Sequence, residues 1–592
     1  EQYAKFADDF VQMSLDKTQA DNLAAYLETS DSASSRNFAG LNINSPLADI
    51  SWGNLNPQLS KAGIPVIKDI NETTASISIE YEISAQNENG NTEYYLVTDF
   101  YRMRYDETRI RLLDFKRSAS EVFDPSLSVI SNSGLLLGVR SKDVDYLTNE
   151  DGSVTAFTQN GDIWSYVPDT GKFVEIFTFR RDTESDFRDA RVEHDIKLLS
   201  VENNGDVDFM VYGYMNRGAH EGYSGVGIYH YNNDQGAIEE QVFIPCTESF
   251  EFLQEDLGTL SYVNQSGQLF IMIAGNLYQI NIDENTYEVL ADHIDSDDFG
   301  VSVTNAHAAW KSESGDYAGQ IEFIDFDTME RRRIAPEASQ KLDLLGFMNE
   351  DLIYGIVLDG DTLPNATGYM IDGITTFRIE GFDGTVKKEY HQDGLYVAGV
   401  TVGTTLMEFT LVQKSGDIYK GVKKDNIMNN STAATDKTSV EHTSSSRQGV
   451  IVRLTFEDSP SSEEPLILYA KVRNAGEKVV DIQVDKSSVE EVYYVYAGGG
   501  LDSVWTDPAK AVQRADKQTG VVLNRAQQYV WERGNMKTQI TLNTTDIPEI
   551  IRTASLDVQN LQNGLGDSAK VTDLTGCSLE NVLYEVSAQR AV

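Results

Sequence analysis

The sequence predicts a mainly β chain, built around a β-propeller of about seven four-stranded blades and flanked by a small α+β domain at each end. Three observations carry this. Strict alternation of apolar and polar residues begins near residue 75 and recurs through most of the chain. A strand–turn–strand grammar repeats through the middle at about 40–55 residues, the spacing of propeller blades. Helical periodicity is concentrated at the two ends. At 592 residues the chain also exceeds what one hydrophobic core supports, so several domains are expected.

Residues 1–120 form the first expected domain. Tyr3, Phe6, Phe10, Met13, Leu23, Ala24 and Leu27 recur at helical spacing, with a break near 16–21. From Ser76 to Ile83 the pattern becomes that of a strand, residues 87–91 supply a turn, and 93–104 and 108–115 return as strands. A helix followed by a three-stranded meander matches the cystatin or nuclear-transport-factor-like kind of α+β domain.

Residues 121–485 carry the repeat. The text VTAFTQNGDIWSYVPDTGKFVEIFTF from Val154 returns as YVNQSGQLFIMIAGNLYQINIDENTYEVLAD from Tyr262 and AAWKSESGDYAGQIEFIDFDTMERRRIAP from Ala308. Further versions cover 198–243, 345–390 and 397–424. A single small antiparallel sheet cannot bury both faces, whereas sheets stacked around an axis cover one another. A seventh unit is expected from 451–456 with 465–485, or from 135–140 closing the ring; six and eight blades are the alternatives. The charge-dense stretch 180–193 reads as a solvated loop. The Ser/Thr-rich stretch 429–449 reads as a flexible loop. Arg331, Arg332 and Arg333 stand on a strand, where successive side chains point to opposite faces.

Residues 486–592 form the third unit. A strand at 493–496, a turn at 498–500, a helix with Pro508 in its first turn, a buried strand at 520–523 and a helix over 579–586 make it α+β.

Composition narrows the functional classes. There are 48 basic against 93 acidic side chains, a net charge of −45, which repels phosphate backbones and anionic lipid and so excludes a nucleic-acid partner. No run of about 20 apolar residues is present, so a membrane connection would come through a segment outside this chain. The chain begins with Glu1, without a charged-then-apolar leader. The expected location is extracellular or at the cell surface. Cys246 and Cys577 are too few and too far apart for a disulfide framework or a cysteine-based zinc site. None of the seven histidines has H-x-x-x-H spacing.

The stretches GVVLNRAQQYVWERGN (520–535) and VTDLTGCSLENVLYEVSAQRAV (571–592) resemble surface proteins of Gram-positive gut bacteria. Those combine a membrane anchor, a propeller and a C-terminal region related to the C39-type, papain-like cysteine peptidases. The resemblance covers the propeller loosely and the last hundred or so residues more specifically. It implies that 486–592 is a peptidase-like domain, truncated here.

Cys577 is the residue that invites catalysis. It precedes an apolar-periodic helix, and a helix N-terminus favours the thiolate. The family's Cys-Gly-Pro signature is absent, since Ser578 and Leu579 follow, and no histidine lies beyond His442 to act as base. No complete catalytic site is therefore expected. Asp295 and Asp297 open a calcium-loop-like stretch whose twelfth position is Ala306 rather than Glu, and Asp359 and Asp361 flank a glycine turn; a structural calcium at these turns is the one cofactor considered. Trp164 and Trp310 fall within blade repeats, where packing competes with stacking on a sugar or peptide. The expected function is a scaffold that binds a protein, peptide or glycan at the propeller face. The competing expectations are a cysteine peptidase or pseudopeptidase completed by residues beyond Val592, and a propeller hydrolase acting on cell-wall or glycan substrates.

Overall fold

A computed structural model describes residues 1–532 except 30–35, 71–72, 107, 132–133, 142, 181–187, 189–192, 249, 265, 313–318, 366–367, 369, 404–405, 430–436, 458–459, 462–463, 474–477 and 483–490. The chain is mainly β. Cys577, the helix expected at 579–586 and most of 180–193 lie outside the described residues.

The first unit sets helix α1 (Gln2–Leu15) against a six-stranded antiparallel sheet whose long members are Thr74–Gln86, Thr92–Tyr105 and Ile110–Glu121. Phe6, Phe10 and Val11 share one helical face and pack on Ile77, Ile79, Tyr101 and Phe115. The same core encloses an ion pair. Arg117 grips both oxygens of Asp99 at 2.7 Å, donates to the Ile50 carbonyl at 2.7 Å and lies 4.6 Å from the Trp52 ring centre. Tyr81 and Tyr101 also donate to Asp99 Oδ2, so the buried charges are paired and hydrogen-bonded. A short helix α2 (Leu47–Ile50) supplies that carbonyl.

Beyond this unit the described residues fold into six consecutive sheets. Sheet I joins Ile130–Ser131 and Gly134–Gly138 to Gly449–Phe456 and Thr438–Ser445. Sheet II runs from Tyr146–Thr148 through Thr155–Gln159 and Asp162–Val167 to Lys172–Phe177. Sheet III spans His194–Val201 to Ala237–Pro245, sheet IV Ser261–Val263 to Thr286–Ala291, and sheet V Phe299–Val301 to Arg331–Ile334. Sheet VI has seven strands, from Gln340–Met348 to Ile418–Met428.

Period-2 alternation explains the stacking. On Gln268–Ile273, Leu269, Ile271 and Ile273 enter the core shared with sheet III, while Phe270 and Met272 enter the core shared with sheet V. On Asp351–Pro364, Leu352, Tyr354 and Ile356 face sheet V, while Ile353 and Val357 face the last three strands of sheet VI. Similar clusters bind sheet I to II and sheet II to III. Each interior sheet is thus apolar on both faces, which is what stacked sheets require.

Four expectations change. The stretches 345–390 and 397–424, read as separate units, are joined at Ile374 and Val397 into one sheet. Part of the loop expected over 429–449 is the strand Thr438–Ser445, paired from Thr438–Phe456 to Ser445–Gly449; its Ser and Thr side chains suit a strand whose backbone finds a partner and whose polar groups face water. The stretch 465–485 does not complete a seventh unit. It lays Leu466–Tyr469 beside sheet II and Lys471–Arg473 beside sheet III, both parallel. Finally, among the described residues no apolar cluster joins the last strands of sheet VI to sheet I. There Met407, Phe409 and Leu411 turn inward, so Glu408 and Thr410 turn out.

Helix α3 (Phe250–Thr259) bridges sheets III and IV, burying Leu253 and Leu257 between them. The last described unit pairs Tyr493–Ala497 with Gly500–Trp505 and Val521–Asn524, with Tyr529–Glu532 at the edge. Helix α4 (Pro508–Gln518) covers it. The Asp507 carboxylate caps that helix on the Ala509 N–H at 2.7 Å, Pro508 opens it, and Thr519 ends it at φ +58°.

Candidate binding cleft

A cavity of about 170 Å³ lies where α3, sheet IV and the C-terminal sheet meet. Helical spacing builds one wall. With Leu253 and Leu257 turned into the sheets, Phe252, Glu255, Asp256 and Thr259 share the opposite face of α3 and line the cavity. The two-residue hairpin turn Ala274-Gly275 forms the floor. Both residues have positive φ, +50° and +72°, as a tight turn between twisted strands demands. That turn aims the Ala274 N–H at Asp256 Oδ2, 2.9 Å away. The far wall comes from the C-terminal sheet. Tyr494 stacks on Phe252 at 4.3 Å and 25°, and Val504, Trp505 and Arg525 complete it.

The electrostatics follow from this enclosure. Burial pushes the Asp256 carboxyl up to about 6, against the pull of the Ala274 N–H and of Arg525, and Glu248 and Glu255 push it the same way as burial. Burial likewise raises the Tyr494 hydroxyl to about 12. Glu248, Glu255, Asp256 and Asp295 line the cavity, against Arg525 as the cationic side chain of its lining. The arrangement offers aromatic and aliphatic surface beside an anionic rim, which suits recognition.

A second seam joins the N-terminal sheet to sheet I. Glu121, at the end of its strand, is half-buried beside the buried Glu93. The Val139 N–H (3.3 Å) and the Gln448 amide (2.6 Å) donate to its Oε2. Gly138, at φ +74°, leaves the space this carboxyl fills. Arg447 is ion-paired with Glu93, and the Tyr95 hydroxyl donates to Glu93 at 2.9 Å. Burial, then the neighbouring Glu93, raises Glu121 to about 8.

The residues singled out in the sequence fall elsewhere. Trp164 is buried between sheets I and II, edge-on to Phe123 at 5.4 Å. Trp310 is buried between sheets IV and V, with the Arg331 guanidinium 5.8 Å from its ring centre. Arg332 pairs with Glu380 at 2.7 Å and Arg333 with Glu322 at 2.6 Å. Asp295 sits at the lip of the cleft, and Asp297 is exposed and accepts from Thr506 at 3.4 Å. Asp359 and Asp361 stand within the long strand Asp351–Pro364 rather than on a turn; Asp359 is exposed, and Asp361 is buried and ion-paired with Lys414. The strand runs on because Leu358 pairs with Gln340 and Thr362 with Asp372; Asp359, Gly360 and Asp361 form the irregular step between these pairs, with Gly360 at φ +85°. Among the described residues no group of three or more His, Cys, Asp or Glu side chains is placed to hold a metal ion. Reading the sequence missed α3 and with it Phe252 and Asp256. The signal was Leu253 and Leu257 at i, i+4 beneath a polar face.

No family of known sequences matches the chain, and no curated protein does. Solved structures that are similar include dipeptidyl peptidase 4 from Porphyromonas gingivalis, at 9% identity over 54% of this chain and 59% of that one, with a TM-score of 0.25. TolB from Acinetobacter baumannii matches at 12% identity over 52% of this chain and 88% of its own, with a TM-score of 0.18. A post-proline cleaving enzyme from Rickettsia typhi matches at 8% identity over 60% and 55%, with a TM-score of 0.25. The chain thus spans about three fifths of the length of the dipeptidyl peptidase. At TM-scores this low the matches assign neither fold nor activity.

Proposed function

We propose that this chain is an extracellular or cell-surface β-propeller scaffold whose task is to bind a protein, peptide or glycan partner. One observation carries the propeller reading. Gly134–Gly138, which precedes the sheet series, pairs with Gly449–Phe456, which follows it, so the two ends of the series are tied into one sheet. Counting sheet VI as two packed units, through the apolar core between its first and last strands, gives seven units in succession. The excess of acidic side chains supports an exported, well-solvated surface. Binding is supported by the cleft at α3, which sets aromatic walls beside charged groups.

The test uses the whole chain. Cell-wall peptides, glycans and surface-protein fragments are passed over the immobilised protein, alongside the Trp505→Ala variant. At least one class is expected to bind wild type and to lose about tenfold in affinity with the variant, the scale of removing an aromatic anchor. Uniform failure to bind overturns the scaffold reading.

A further inference from the structure

We propose that the cleft between α3 and the C-terminal sheet receives an alkyl-ammonium group, either the side chain of a lysine in a partner polypeptide or a free aliphatic amine. The inference rests on the binding reading above and names the chemistry of that site.

Size, wall and charge select this ligand together. The cavity of about 170 Å³ has room for about five or six water-sized groups. An unbranched alkyl chain ending in an ammonium has that size. The walls are Phe252, Met272, Ile294, Phe299 and Trp505, suited to methylenes and, at the rings, to a cation over a π face. At the bottom stands Asp256, held in place through Oδ2 by the Ala274 N–H. A carboxylate has about four acceptor positions, so this bond leaves capacity for an N–H donor. The anionic groups facing the site are Glu248 before α3, Glu255 and Asp256 on it, and Asp295 after sheet IV; Glu491 lies beside Tyr494, and Arg525 supplies the positive charge. An anion would enter against this excess. A neutral apolar ligand would strip water from Asp256 without giving its charge a partner, which is costly. An ammonium is the small group that meets both the apolar walls and the half-buried carboxylate.

Protonation gives the inference a second readout. Asp256 holds its proton up to about pH 6, for the reason of burial given above. A cation binds the ionised form, so affinity is expected to rise as pH increases through about 6 and then level off.

The experiment titrates the full chain by calorimetry, with Trp505 fluorescence in parallel. Probes are cadaverine, an acetyl-lysine-amide capped dipeptide carrying a free side-chain ammonium, and its norleucine counterpart, which keeps the methylenes and lacks the charge. Both amines are expected to bind, the norleucine probe to bind at least tenfold more weakly, and Asp256→Asn to lose tenfold and the pH step together. Glu248→Gln, at the rim, is expected to lose two- to threefold, which keeps the test open if Asp256→Asn fails to fold. Tighter binding of the lysine peptide assigns a polypeptide source, and tighter binding of cadaverine a free amine. Equal affinity for the norleucine and lysine probes overturns the ammonium assignment while the cleft remains a binding site. No binding of any of the three also overturns it, and the partner screen with Trp505→Ala then reports separately on the scaffold reading.

Discussion

Two seams attach flanking units to the stacked sheets, and each encloses a carboxyl group raised by burial. At the N-terminal seam Glu121 is surrounded by donors that the protein itself supplies: the Val139 N–H, the Gln448 amide and, through Glu93, the Arg447 guanidinium. At the C-terminal seam Asp256 receives the Ala274 N–H, and its remaining surroundings are aromatic walls around a cavity. The physics of desolvation is common to both. A cavity borders each carboxyl, of about 250 Å³ beside Glu121 and about 170 Å³ beside Asp256, so the difference lies in the donors: met by the Val139 N–H and the Gln448 amide beside an ion pair, Glu121 belongs to a joint, and left with one backbone N–H beside aromatic rings, Asp256 belongs to a receptor.

Breaking the joint should have the largest effect. Arg447→Ala leaves Glu93 buried without its cation and is expected to cost on the order of 3–5 kcal/mol at neutral pH, read as a lowered urea midpoint. An unchanged midpoint would mean that Glu93 needs no partner there and that the two seams do not differ in this way. Glu121→Gln tests the same seam through pH. The folded-state value, about 8, lies above the ordinary 4.5, so the native protein holds a proton that the unfolded chain releases. Wild-type stability therefore falls as pH rises from about 4.5 to about 8, and is flat beyond. The Gln variant lacks that fall; relative to wild type it should gain on the order of 2–4 kcal/mol at pH 9 compared with pH 4. Parallel pH profiles for the two proteins would remove Glu121 as the titrating group.

The C-terminal seam should respond more weakly. Asp256 is half-buried, with a folded-state value near 6 against an ordinary 3.8, so its window runs between those values and has the same sign. Asp256→Asn is expected to raise stability at pH 7 by about 1–2 kcal/mol while weakening amine binding, a trade characteristic of a binding group rather than a structural one. Loss of both stability and binding would place Asp256 in the joint class. The exposed pair Arg378–Glu389, 2.7 Å apart, fixes the lower end of the scale: Arg378→Ala should change stability by no more than about 0.5 kcal/mol.

Much of the fold was legible because strand periodicity is local. The run from Ser76 to Ile83, the repeats from Val154, Tyr262 and Ala308, and the Asp507-Pro508 helix start all announce themselves within a few residues. What escaped was pairing. Nothing in Thr438–Ser445 distinguishes a polar strand from a polar loop until Gly449–Phe456 lies beside it. Nothing local shows that Leu466–Tyr469 would run parallel to sheet II, or that 345–390 and 397–424 would share one sheet. The site residues were harder still. Trp164 and Trp310 drew notice as large aromatics and proved to be buried between sheets, whereas Phe252, Asp256, Tyr494, Trp505 and Arg525 come from three separate stretches of chain and look ordinary in each.

By itself, the sequence determined the β character, the alternation that makes interior sheets apolar on both faces, and a net charge of −45. These depend on side-chain chemistry and on a backbone period of two, both readable along the chain. The tertiary structure alone decided which strands share a sheet and which carboxyls lose their water. Both are properties of neighbours brought from far away in sequence, and the desolvation that raises Glu121 and Asp256 exists only once those neighbours have closed around them.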